Sequence, residues 1–208
     1  MAFPSSEAAA EPRVEDALAA TVATAVKIVI VGGFGVGKTT MVGAVSEIRP
    51  LTTEETMTQA GVGVDDLVGV EQKTATTVAM DFGRISLNEQ LVLYLFGTPG
   101  QERFWFLWNG LFQGALGAVV LIDTRRLAAS FDVLGQLEER GVPFVVAINA
   151  FPDSPAHSVS EVRSALDLPE SVPIVTCDAR GRGSSRDVLM ALMHYLFTLS
   201  TTPVPELL

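Results

Sequence analysis

The stretch that most constrains this chain is Val26 to Thr39. A nearly continuous β-branched run, Val26-Lys27-Ile28-Val29-Ile30-Val31, opens directly into Gly32-Gly33-Phe34-Gly35-Val36-Gly37-Lys38-Thr39. Such a run suits a strand buried on both faces. The segment after the glycines, Thr39 to Ile48, reads as a helix ended by Pro50. A glycine-rich loop between strand and helix aims several backbone N–H groups at one point, and the helix N-terminus adds partial positive charge, so the pair cradles phosphate oxygens. Gly32 and Gly37 allow the tight path, Lys38 neutralises the outer phosphates, and the Thr39 hydroxyl is placed to ligate magnesium. Gly33, Phe34, Gly35, Val36 and Thr40 complete the candidate phosphate-binding set. A turn that merely joined strand to helix would have no use for lysine followed by threonine. The expected ligand is a purine nucleoside triphosphate with Mg2+.

From Val26 onward strand-like and helix-like runs alternate, which predicts an α/β fold: a three-layer P-loop domain with helices on both faces of a six-stranded, mostly parallel sheet. Thr76 to Leu87 and Gln90 to Phe96 are separated only by Asn88-Glu89, a turn that forces a hairpin and makes the second strand the one antiparallel edge. Ala115 to Ile122, Pro143 to Ile148 and Val172 to Thr176 read as buried strands. Arg125 to Arg140, Val159 to Leu166 and Ser184 to Leu199 read as helices. Leu51 to Gln72 is polar and punctuated by glycine, and is expected to be mobile, with a short helix starting at Thr53-Glu54-Glu55. Three regions follow: an alanine-rich, acidic N-terminal arm over 1–25, the domain over 26–199, and a C-terminal tail over 200–208. Val14, Leu18 and Val22 recur every four residues, so a weak helix over Glu15 to Ala25 is the alternative for the end of the arm.

Charge narrows the partners. The net charge is −10 and the isoelectric point about 4.6, which excludes a general nucleic-acid binder, because that affinity rests on lysine and arginine neutralising phosphates. Cys177 has no second cysteine to pair with. No apolar run reaches the ~18 residues that span a bilayer, and the terminal Pro-Glu-Leu-Leu offers no prenylatable cysteine. The expectation is a cytoplasmic protein without direct membrane insertion, any membrane recruitment being left to a partner.

Gly97-Thr98-Pro99-Gly100-Gln101-Glu102-Arg103-Phe104 follows the third predicted strand and resembles the D-T-A-G-Q-E signature of Ras-like small GTPases. Thr77-Val78-Ala79-Met80-Asp81-Phe82 and the T-P-G-Q form look similar to the bacterial MglA type. V-G-A-V-S-E-I, G-V-D-D-L, T-T-V-A-M-D-F-G-R, L-Y-L-F-G-T-P-G-Q and V-V-L-I-D-T-R-R resemble the GTP-binding proteins of actinobacterial conservon operons. The resemblance implies a GTP/GDP switch: Thr77 closing over magnesium and the γ-phosphate, Gly100 contacting that phosphate, Gln101 orienting the attacking water. It also implies a roadblock-fold regulator and a sensor-kinase-like protein as partners. Catalysis would then rest on Gln101, Lys38 and Thr77.

Three departures stand out. The aspartate that normally precedes Thr-Ala-Gly and holds magnesium through water is Gly97; Asp81, or else Asp123, could replace it, so that the metal set is Thr39, Thr77 and Asp81. The base-reading N-K-x-D is here Asn149-Ala150-Phe151-Pro152-Asp153, with no lysine and the acid one place late. Phe151 is placed to stack on the base, while Asp178-Ala179-Arg180 stands where S-A-K would, its alanine amide implied to read guanine O6. A misplaced Asp153 would forfeit roughly 10- to 100-fold of guanine preference, which leaves ATP as the competing ligand. Finally, Thr76 occupies the place where some MglA-like proteins carry a catalytic arginine, so hydrolysis is expected to be slow, and a pseudo-GTPase scaffold is the alternative. Arg125 and Arg126 are either an arginine source or a surface pair that starts a helix. Phe104 to Trp108 divides between core and partner docking, with Trp108 the favoured docking residue.

Overall fold

A computed structural model of the protein describes residues 22–58, 75–152 and 154–201. The arm up to residue 21, the G-V-D-D-L segment, Asp153 and the tail after residue 201 lie outside them. The described strands are β1 (Thr24–Val31), β2 (Leu51–Thr58), β3 (Ala75–Ser86), β4 (Leu91–Gly97), β5 (Ala115–Ile122), β6 (Phe144–Asn149) and β7 (Ile174–Cys177). The helices are α1 (Lys38–Val45), α2 (Trp108–Phe112), α3 (Phe131–Glu139), α4 (Val159–Ala165) and α5 (Arg182–Thr201), with 3-10 turns at Glu102–Leu107 and Thr124–Ser130.

The strands form one sheet in the order β2-β3-β4-β1-β5-β6-β7. The four pairs from β4 to β7 are parallel, and β3 runs antiparallel to both of its neighbours. The expected α/β architecture is present, with two corrections. The described sheet has seven strands rather than six, and β3 is internal, because Leu51–Thr58 pairs along its outer side. The expected short helix at Thr53 is therefore a strand. Its sequence, Leu-Thr-Thr-Glu-Glu-Thr-Met-Thr, lacks an apolar run, yet threonine favours extended backbone and charged residues are tolerated on an edge.

β1 alternates between two cores. Ile28 and Ile30 enter the layer of α1 and α5 with Met41, Leu93, Leu121, Val188 and Leu192. Val29 and Val31 enter the opposite layer with Trp108, Leu134, Leu137, Val146 and Val162. Burying roughly 1.5–3 kcal/mol of side chain on each face at every second residue fixes the strand's register, since a one-residue slip would exchange the two cores. Chain order then reverses across β1, whose neighbours are β4 and β5. In open α/β sheets this switch point, at the carboxyl ends of the strands, is where a crevice forms.

Candidate functional site

The loop after β1 is shaped by close approaches that exclude side chains. A Cβ at Gly32 would lie 2.3 Å from the Leu121 carbonyl oxygen, and Gly37, at φ +104°, would place one 2.7 Å from Asn149 Nδ2. Gly37 leads into α1, which begins with Lys38 and Thr39. Lys38 is buried, and its Nζ donates to the carbonyls of Gly32 and Gly33, both at 2.8 Å. Burial pushes its pKa down to about 8, against the opposing pull of the Asp81 carboxylate. An ammonium group held inside a glycine loop at a helix start is a site for an anion.

The loop after β4 meets this cradle. Thr98 is buried and donates its N–H to Ile30 O at 2.9 Å. Two residues on, a Cβ at Gly100 would stand 2.6 Å from Lys38 Nζ and 2.8 Å from the Gly33 carbonyl. Gly100 therefore lies directly against the phosphate loop, with Gln101 next in the chain.

An acid on the adjacent strand stands beside position 97. Asp81 is the register partner of Gly97, its carboxylate is buried, and Thr39 Oγ1 donates to its Oδ2 at 2.6 Å. A Cβ at Gly97 would fall 3.0 Å from Asp81 Oδ2, so the carboxylate occupies the space a side chain at 97 would take. The threonine hydroxyl and the acid are the oxygen donors that suit magnesium. Asp123, the other candidate, is engaged elsewhere. It is 1 % exposed, accepts from Arg125 Nε and Nη2 at 2.9 and 2.8 Å, and is held below the usual carboxylate range chiefly by that bond.

At the base end, buried Asn149 ties three segments together. Its Nδ2 donates to Val36 O, and its Oδ1 accepts from Ala179 N, both at 2.9 Å. The Ala179 amide implied to read guanine O6 is thus donated to Asn149, the partner a buried N–H requires. Asp178 accepts from the Arg180 backbone and guanidinium, which hold it at a pKa of about 2. Phe151 lies under the Arg125 guanidinium at 4.0 Å, a cation–π contact the sequence did not suggest. Thr77 sits in β3 opposite Thr56; its side chain, like Asp153, is outside the described part of the chain.

Residues 30–199 match the protein family described as "Conserved hypothetical ATP binding protein". The chain belongs to this family. An uncharacterized protein of Methanocaldococcus jannaschii is 30% identical to it over 126 residues, which are 60% of this chain and 69% of that protein. Ras-related protein Rab-11C of Dictyostelium discoideum is 30% identical over 100 residues, 47% of this chain and 36% of that protein. Among solved structures, the G domain of the T. maritima FeoB iron transporter superposes with a TM-score of 0.52 at 16% identity, covering 86% of this chain and 100% of that domain; this likeness concerns the fold. With the loop geometry, the family match makes the chain a nucleotide-binding P-loop protein, and its fold is like that of a G domain.

In this family member the remaining candidates divide clearly. Phe34 is 68% exposed and fills no core position. Thr40 is exposed beside Thr39. In the aromatic run, Phe104 and Trp108 are buried and Phe106 is 59% exposed. Trp108, favoured for docking, is instead core, packed against Trp105 and Phe112 with ring centroids at 5.4 and 5.6 Å. No described helix is long and apolar enough to cross a membrane.

Proposed function

We propose that the chain is a small guanine-nucleotide switch with slow hydrolysis. The observation that carries this reading is Gly100 packed on Lys38 and Gly33 while Asp81 meets Thr39: residues suited to sensing a γ-phosphate, neutralising phosphate charge and holding magnesium meet at one loop, which supports the reading. Lys38 and Gly32 to Gly37 would hold the phosphates, Thr39 and Asp81 would hold Mg2+ directly or through water, and Thr77 would close over both. Gln101 would orient the attacking water. By likeness to the MglA type and the conservon-operon proteins, nucleotide state would be read by a roadblock-fold regulator and a sensor-kinase-like partner, in the cytoplasm or at a membrane reached through that partner.

A second reading, ATP binding, is favoured by the base loop. Ala150 stands where guanine readers carry lysine, the Ala179 amide is bonded to Asn149, and the family is described as ATP binding. Guanine remains the first reading because Asn149 links the phosphate loop to the Asp178-Ala179 loop, and this link supports a base site between them.

Affinities for GTP, GDP and ATP, measured with and without magnesium on nucleotide-stripped protein, test both. Tight, magnesium-dependent binding of guanine nucleotides that is lost in Lys38→Ala is expected. Preference for ATP would transfer the reading to an adenine-nucleotide protein, and binding indifferent to Lys38→Ala would refute the site itself.

A further inference from the structure

The phosphate loop is touched from outside by a cation that its own motif does not contain. Arg126 Nη2 donates to the Phe34 carbonyl at 3.0 Å, and the same nitrogen would be 3.5 Å from a Cβ at Gly35. The turn that carries it packs along the loop at a second point, because Ala129 Cβ is 3.4 Å from the place of a Cβ at Gly33. Backbone geometry sets the arginine there: Arg126 interrupts the 3-10 turn at φ −139°, ψ 48°, and its N–H donates to Asp123 O at 2.9 Å. Asp123 Oδ2 lies 3.5 Å from Nη2, but its carboxylate is already bidentate to Arg125. The Arg126 side chain is 54% exposed. Among the described residues its hydrogen bonds all run through Nη2, which leaves Nε and Nη1 as donors.

Gly33, the residue before Phe34, is where Gly100 approaches. The segment Arg126 touches therefore borders the Gly100-Gln101 end of the site, where the terminal phosphate and attacking water belong on the reading above. We propose that Arg126 is an arginine supplied in cis to the terminal phosphate, in place of the one absent before Thr77; this rests on the hydrolytic reading. As the water oxygen bonds to the γ-phosphorus, the bond from that phosphorus to the β–γ bridging oxygen breaks. The electron pair leaves with the nucleoside diphosphate, and the water's proton passes to the released phosphate. The guanidinium turns from Phe34 O to meet charge growing on the γ and bridging oxygens, a role that a planar fork of donors fills better than an ammonium.

The test compares the full-length wild-type chain with Arg126→Ala and Arg126→Lys, in single-turnover hydrolysis and in the affinities for diphosphate and for a non-hydrolysable triphosphate. G proteins with an arginine in cis turn over near ~10⁻² per second and those without one near ~4 × 10⁻⁴. Arg126→Ala is expected to slow turnover by at least about tenfold, with lysine restoring only part and diphosphate affinity held within about threefold. Turnover in Arg126→Ala equal to wild type overturns this role alone, as does an equal loss of diphosphate and triphosphate affinity, which would mark Arg126 as a brace of the loop. A wild-type chain that binds nucleotide without turning it over rejects hydrolysis and Arg126's part together. One that binds no nucleotide rejects the site.

Discussion

Asp81 and Gly97 share a single acid between two strands, and the arrangement can be tested by moving it. Removing the charge in Asp81→Asn leaves Thr39 with a weaker acceptor. Hydrogen bonds to charged groups are worth about 1.5–3 kcal/mol, so the magnesium concentration for half-maximal nucleotide binding should rise roughly 10- to 100-fold, while magnesium-free binding changes little. The exchanged pair Asp81→Gly with Gly97→Asp should recover much of that loss, because the carboxylate returns to the same space from the other backbone. A titration of nucleotide affinity against magnesium checks both, and an exchanged pair no better than Asp81→Asn would remove the carboxylate from metal binding. Gly100→Ala is a separate residue-scale test. Its methyl meets the Gly33 carbonyl at 2.8 Å, backbone that cannot yield cheaply, so triphosphate affinity should drop by at least about tenfold relative to diphosphate, roughly 1.4 kcal/mol. Gln101→Leu should abolish turnover and spare binding; turnover unchanged in that variant would exclude Gln101 from the chemistry.

At the scale of elements, the segment from Glu102 to Phe112 separates inward from outward aromatics. Trp108 is fully buried and Phe106 is not. Trp108→Ala should therefore destabilise the domain by about 3–5 kcal/mol, and Phe106→Ser by less than about 0.5 kcal/mol, as read by chemical denaturation. Five consecutive aromatic and apolar residues show no period of their own, which is why the sequence could not say which of them faces in. The glycine loop was legible because its chemistry is contiguous: lysine and threonine follow the glycines without a gap. The Asp81–Gly97 pairing was only partly so. A two-residue turn at Asn88-Glu89 would set Asp81 against Phe96. The connection instead closes with Ser86 opposite Val92, and Asn88 Oδ1 accepts from Gln90 N and Leu91 N at 2.8 and 2.9 Å. That single offset brings the acid to Gly97. β2 escaped notice because a polar edge strand lacks the apolar alternation that marks a half-buried one, and the sequence left Arg126 between arginine source and surface pair because its partner, Phe34, lies 92 positions earlier in the chain.

For the molecule as a whole, Cys177 reports on intactness. It ends β7 in the core shared by α1 and α5, and burial, with the neighbouring Asp178 charge, pushes its thiol up to about 12. In the unfolded chain the thiol ionises near 8.5, so the folded state keeps its proton over the interval between. This group's contribution to stability is present below about pH 8.5 and declines as pH rises toward 12. At pH 8 to 9 alkylation by iodoacetamide should be slow in the native protein and fast in denaturant, and saturating nucleotide should slow it further if binding stabilises the fold. Rapid labelling of native protein would contradict the burial described for β7.

The crowding between Asp81 and position 97 also bears on how such chains diversify. With 3.0 Å between a Cβ at 97 and the Asp81 carboxylate, acids at both places would collide and repel, and acids at neither would leave Thr39 without its anion. The two positions should therefore behave as one inherited character with two spellings. Relatives should carry the acid on β3 with a small residue ending β4, or the reverse; if the acid serves magnesium as proposed, a lineage passing between the two crosses an intermediate that holds the ion poorly.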